Sequence, residues 1–188
     1  MKHLLFFLIV GIIMSSCSNS GSKTQSGDQA GQNEVVITND MENAAGVIPS
    51  WHNERSVISM KEPLAHSGNY ACVTNDTNEF SYSYTELFKN IRNGNGVPKM
   101  ATLSGWVYTT VANPQFAIIC NINDDTTRYQ WKPFPLDKEL SEVGKWVEFS
   151  SSFIFDKPLK PEQEITLVAW NQSKKAVFLD DLKITFAY

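Results

Sequence analysis

The sequence predicts an all-β fold, a β-sandwich, and three observations carry the prediction. After residue 33, apolar and polar residues alternate at period two through most of the chain, the spacing of strands with one buried face. Turn-forming residues punctuate these runs at 93–96, 113–114, 123–125, 144–145, 158–161 and 171–174. A helical spacing of apolar residues occurs once, over 84–92, where Leu87, Phe88 and Ile91 share a side.

The first 32 residues stand apart from this pattern. Lys2 and His3 open a short basic start, residues 4–14 form an uncharged apolar run, and Ser15 and Ser16 lead to Cys17. The run is too short to span a bilayer and reads as a secretory signal. Met14-Ser15-Ser16-Cys17 resembles the lipobox of bacterial lipoproteins, with Met14 where an aliphatic residue is usual. The resemblance implies cleavage before Cys17, lipid on that cysteine, and attachment to a membrane of a Bacteroidetes-like cell envelope, the outer membrane rather than the inner. Each buried acyl CH₂ contributes about 0.8 kcal/mol, so two or three chains make the attachment stable. Residues 17–32, CSNSGSKTQSGDQAGQ, contain almost nothing apolar and predict a flexible tether. Residues 33–188 are long enough for a single domain with a sizeable core.

Within that domain each strand is justified by its alternation. Over 101–110, Leu103, Gly105 and Val107 fall on one face, with Ser104, Trp106 and Tyr108 on the other. Residues 115–122 are nearly all apolar, as in a strand buried on both sides. Over 146–155, Val147, Phe149, Ser151, Phe153 and Phe155 share a face, and 164–170 and 177–186 repeat the pattern. In the last of these, alternation puts Phe178, Asp180, Leu182, Ile184 and Phe186 on one stripe expected to face the core. A carboxylate there requires a charge partner, a metal, or a rim position where a loop donates hydrogen bonds to it, because an unpaired buried charge is costly. Asp181 is expected to point the other way, into solvent. Cys72 and Cys120 lie in strand-like apolar segments; export permits a disulfide between them, and two separate buried thiols fit as well.

Six segments, in order, resemble the galactose-binding-like jelly rolls that serve as carbohydrate-binding modules beside bacterial cellulases and xylanases. They are Asn39-Asp40-Met41-Glu42-Asn43, Trp51, Ala65-His66-Ser67-Gly68-Asn69-Tyr70, Leu103-Ser104-Gly105-Trp106-Val107, Gly144-Lys145-Trp146 and Val177-Phe178-Leu179-Asp180-Asp181-Leu182. The resemblance implies a jelly-roll sandwich. It also implies a structural Ca²⁺ where first strand, loop and last strand meet, with carboxylates from Glu42 and Asp180 and carbonyl oxygens from the Ser67 region.

The residues point to binding rather than chemistry. There is no G-x-S-x-G elbow, P-loop, dinucleotide fingerprint or zinc-spaced Cys/His cluster, so no catalytic residue is assigned. A net charge of −4 without basic clusters argues against nucleic acid. Aromatic residues make up 12% of the chain, enough to ask which of them meet a ligand. Sugar rings lie flat on Trp or Tyr while amides and charged groups take the hydroxyls. Tyr129 and Trp131, two apart on one strand, are the first candidates, followed by Trp106, Tyr108 and Trp170; Trp51 and Trp146 are assigned to packing. The expected partner is a polysaccharide or other glycan; the alternative is an envelope scaffold that binds protein through a flat apolar patch.

Overall fold

A computed structural model of the chain describes residues 33–43, 48–92, 96–125, 127–136 and 139–188. The signal segment, Cys17 and the tether lie outside these residues. Among the described residues eleven strands and one α-helical turn follow in order, with 3-10 turns at Glu54–Ser56 and Glu139–Ser141: β1 (Glu34–Asn39), β2 (Trp51–His52), β3 (Val57–Ser59), β4 (Tyr70–Thr74), β5 (Ser83–Leu87), α1 (Phe88–Ile91), β6 (Met100–Thr109), β7 (Phe116–Asp124), β8 (Thr127–Pro135), β9 (Trp146–Ile154), β10 (Glu164–Asn171) and β11 (Val177–Ala187). They form two antiparallel sheets. The first runs β3-β4-β11-β6-β9, with β1 also pairing β11; the second runs β2-β5-β10-β7-β8. From β6 onward the chain passes back and forth between the layers, giving the jelly-roll sandwich expected. Its two ends meet where the Tyr188 amide donates to the Asn33 carbonyl at 2.8 Å.

The alternation in β6 is faithful: Ala101, Leu103, Gly105, Val107 and Thr109 are buried and the residues between them half-buried. Gly105 keeps this strand close to β11, since a Cβ there would lie 3.0 Å from the Asp180 carbonyl oxygen. β9 turns Phe149, Ser151 and Phe153 inward as expected. These residues meet Trp51, Tyr84, Ile118, Ile165, Leu179 and Phe186 in one core between the sheets. Each large side chain buried there contributes about 1.5–3 kcal/mol. Trp51 packs in this core as predicted. Cys72 and Cys120 are buried and unbridged, one in each sheet.

Three expectations are corrected, each by non-local pairing. The helix over 84–92 shrinks to the single turn of α1, because Tyr84 to Leu87 pair with Leu167 to Glu164 of β10 and Tyr84 is buried in the core. The stripe from Phe178 to Phe186 is broken by a bulge between Asp180 and Lys183, where Asp181 adopts φ +49°. Val177 and Leu179 face the core before the bulge, and Leu182, Ile184 and Phe186 face it after, so Phe178 and Asp180 belong to the outer side. A second bulge interrupts β8, where Ile122 pairs with Gln130 but Asn123 pairs with Arg128, leaving Tyr129 as the extra residue.

Candidate functional site

Each sheet presents an aromatic outer face, and the two differ in what covers them. On the first sheet, Tyr108 of β6, Trp146 of β9 and Phe178 of β11 pack with Met60, Ala71 and Val73 in a second apolar cluster. The segment 60–69 folds over it. Within that segment His66 stacks on Trp106 with ring centroids 3.9 Å apart and planes at 14°, and it meets the edge of Trp146 at 5.9 Å. Trp146 donates its indole N–H to the Leu64 carbonyl at 3.0 Å. Tyr108 packs against Trp146 and Phe178 at 5.6 and 6.0 Å. Trp106 and Tyr108, predicted as ligand platforms, are thus taken up by packing, as was predicted for Trp146.

The cover is held from beneath by the carboxylates expected to bind calcium. Asp180 is fully buried. Its Oδ2 accepts the His66 and Ser67 amides at 2.9 and 3.1 Å, and its Oδ1 accepts the Asp181 amide at 2.8 Å. Glu42 Oε1 accepts the Asn69 and Tyr70 amides, each at 2.8 Å. Gly68, at φ +57°, sits so close that a Cβ would collide with the Glu42 carboxylate. A calcium shell takes six to eight oxygens, commonly including backbone carbonyls. What meets these carboxylates is five backbone N–H groups, and Ser67 enters by its amide and by its hydroxyl, which donates to Asp181 Oδ1 at 2.7 Å. That donor set does not fit the ion, and among the described residues no group of three or more His, Cys, Asp or Glu could hold a metal. Asp181 is not free in solvent: His66 Nδ1 lies 2.6 Å from its Oδ2. Burial pushes the Asp180 carboxyl up to about 6, against the pull of its hydrogen bonds.

Among the described residues, no segment folds over the outer face of the second sheet. Trp131 of β8 stands opposite Asn121 of β7, which stands opposite Thr166 of β10, all pointing away from the core. Trp131 is 38% exposed and meets Trp170 edge-on at 6.0 Å. Beyond Trp170, Phe80 stacks parallel to it at 6.3 Å and is 49% exposed. The three rings therefore form a row across β8, β7 and β10. Ile119 and Val168 belong to the same outer side and are themselves buried, as a floor under the row would be.

Polar groups flank the rings. The Asn121 side-chain amide donates to Asn123 at 3.1 Å, while among the described residues its own Oδ1 finds no hydrogen-bond partner. Thr85 and Thr166 hydroxyls meet at 3.1 Å. Phe80 lines a depression of about 500 Å³ with Asn53, Arg55, Asn78 and Ser83. Trp131 lines another of about 550 Å³ with Pro133, Phe134, Ser152 and Ile154. The row thus joins two hollows.

Of the predicted site residues, Trp131 and Trp170 come together and Tyr129 separates from them. The β8 bulge turns Tyr129 toward the core, where its hydroxyl donates to the Pro158 carbonyl at 2.8 Å. The same bulge brings Arg128 to the outer face, with its guanidinium carbon 5.8 Å from the Trp131 ring centroid. Phe80 was missed. It alternates with Tyr82 and Tyr84, both buried, so period two assigns it inward. Phe80 pairs with Trp170 while Tyr84 pairs with Leu167, so the ladder gains a residue between them and Phe80 turns outward.

No protein-family model and no curated protein matches the sequence. Solved structures do resemble the fold. The CBM22-1 xylan-binding domain of Paenibacillus barcinonensis Xyn10C superposes with a TM-score of 0.50 at 16% identity, covering 84% of this chain and 98% of that one. The CBM22-2 xylan-binding domain of the same protein gives 0.53 at 13% identity, over 81% of this chain and 99% of that one. The tandem of the two gives 0.54 at 16% identity, covering 84% of this chain and 47% of the tandem. At these identities the likeness establishes the architecture: the chain has the β-sandwich fold of carbohydrate-binding modules.

Proposed function

We propose that the chain is a non-catalytic glycan-binding module, with the polysaccharide lying across the second sheet on Phe80, Trp170 and Trp131. The observation that carries this reading is the uncovered aromatic row beside Asn121, Asn123 and Arg128. Stacking supplies apolar contact and the amides supply hydroxyl recognition. A protein-binding scaffold calls for a flat apolar patch without such groups, and the mixture favours sugar. The structures of like fold are described as xylan-binding, which makes xylan the first ligand to try. Native electrophoresis of the full chain through soluble xylan, galactan and β-glucan tests the reading. Retardation by at least one is expected, and Trp131→Ala should abolish it. Retardation that survives in Trp131→Ala, or no retardation by any of the three, refutes the reading.

We also propose that the module works from the cell envelope, tethered to the outer membrane by lipid on Cys17. The support is the Met14-Ser15-Ser16-Cys17 pattern and the polar segment after it. Cys17→Ala should move the protein from the membrane to the soluble fraction and end labelling by palmitate. Continued labelling in that variant refutes the tether.

A further inference from the structure

We propose that the glycan taken on this face carries carboxylates, in the form of uronic acid residues, and that Arg128 reads them. The inference rests on the glycan-binding reading above and names the ligand class of the same face. Strict alternation would turn Arg128 away from Trp131; the bulge at Tyr129 brings the two together. That bulge is pinned, since Tyr129 is tied to the Pro158 carbonyl and Lys157 lies 5.9 Å above its ring. Bulges that redirect a side chain beside a site are devices rather than defects.

Arg128 is exposed, and among the described residues no carboxylate lies within ion-pairing distance of it. Two neighbouring cations are paired, Lys132 with Asp156 and Lys160 with Asp124, both at 3.2 Å. Glu164 is separated from Arg128 in the ladder by Asn123, and the exposed Asp125 stands in the turn three residues before Arg128 without an ion pair to it. Arg128 therefore keeps its charge and its planar fork of donors for a ligand. Its guanidinium carbon lies over the Trp131 ring at 5.8 Å from the centroid, the outer limit of a cation–π contact. A sugar stacked on Trp131 would thus place a ring carboxylate next to a group shaped to bind it bidentately. Because the chain has a net charge of −4, a polyanion gains nothing from the overall field, and recognition must come from this local contact.

The test compares each acidic polysaccharide with its own carboxyl-reduced form, which keeps the chain and loses the charge. The probes are glucuronoxylan and polygalacturonate, titrated with the full-length chain. For at least one of them the acidic form should bind roughly tenfold tighter than the reduced form, the size of one hydrogen bond to a charged group. Arg128→Gln should erase that ratio, bringing the acidic form to the affinity of the reduced form, without lowering the melting temperature. Arg128→Lys, which keeps the charge without the fork, should restore part of it. Raising the salt should shrink the ratio, since the site is exposed. Equal affinity for both forms, or a ratio that survives Arg128→Gln, overturns the inference and leaves glycan binding intact. Loss of binding to both forms in Trp131→Ala but not in Arg128→Gln separates platform from charge reader. No binding of either form by the unaltered chain overturns the inference outright.

Discussion

The two outer faces of the sandwich carry the same kind of residue and do opposite things with it. Trp106, Tyr108 and Trp146 on one sheet lie under the segment 60–69, which carries Leu64 and His66; on the other, Trp131 and Phe80 are exposed, with Trp170 half-buried between them. Nothing in the strands themselves separates them, since all the sheet-borne tryptophans alternate with smaller or polar neighbours. What separates them is a cover and its anchors. Asp180 and Glu42 accept five amide hydrogens, four of them from the covering segment and Tyr70, and so fix a loop that would otherwise have little reason to lie flat. A surface aromatic row serves a ligand only where no local segment has already occupied it.

The comparison can be broken most sharply at Trp106. Trp106→Ala removes the ring under His66 and should lower stability by about 3 kcal/mol, the low end for such truncations, which is a fall of roughly 6–12 °C in Tm for a domain this size. Next comes Asp180→Ala, which leaves amides of the cover unpaired and should cost about 2 kcal/mol in urea unfolding. Trp131→Ala should shift Tm by no more than about 2–4 °C, because an open ring gives up little packing. If Trp131→Ala costs as much stability as Trp106→Ala, the two faces are not different in kind.

The smaller effects sharpen how the cover is held. Chelation by EDTA should leave Tm unchanged, because amides and not an ion satisfy Glu42 and Asp180; a fall reversed by added calcium contradicts this. The pH dependence has a definite sign. Asp180 is held at about 6, above its ordinary 3.8, so the folded form retains a proton that the unfolded form has lost between these values. Its contribution is fully present below about 3.8 and is lost as pH rises through about 6. The stability of the unaltered chain relative to Asp180→Ala should therefore decline from pH 4 to pH 7. A difference that grows over that range refutes the assignment.

Much of this molecule was legible as sequence because alternation survives intact in β6 and β9, whose inward residues were read correctly. What was not legible has one physical origin. A bulge adds a residue and reverses the parity of all that follows, and it does so at Tyr129, at Asp181 and between Phe80 and Tyr84. Each of these reversals moved a site residue. Tyr129 left the face, Arg128 and Phe80 joined it, and Asp180 passed from the core stripe to the buried underside of the cover. Trp106 and Tyr108 failed for a different reason: alternation tells which way a side chain points, never what a distant loop lays over it. Asp180 was singled out correctly as a carboxylate in need of partners, and the partners are amides.

The central claim, that one aromatic face is open to glycan and the other is covered by the segment 60–69, is tested most directly by hydroxyl-radical footprinting of the full chain with and without soluble glucuronoxylan. Trp131 and Phe80 should oxidise fastest in the free protein and become protected when the polysaccharide is added, while Trp106 and Trp146 stay slow in both states. Protection at Trp106 and Trp146, or equal oxidation of all four with no protection at Trp131, would contradict it.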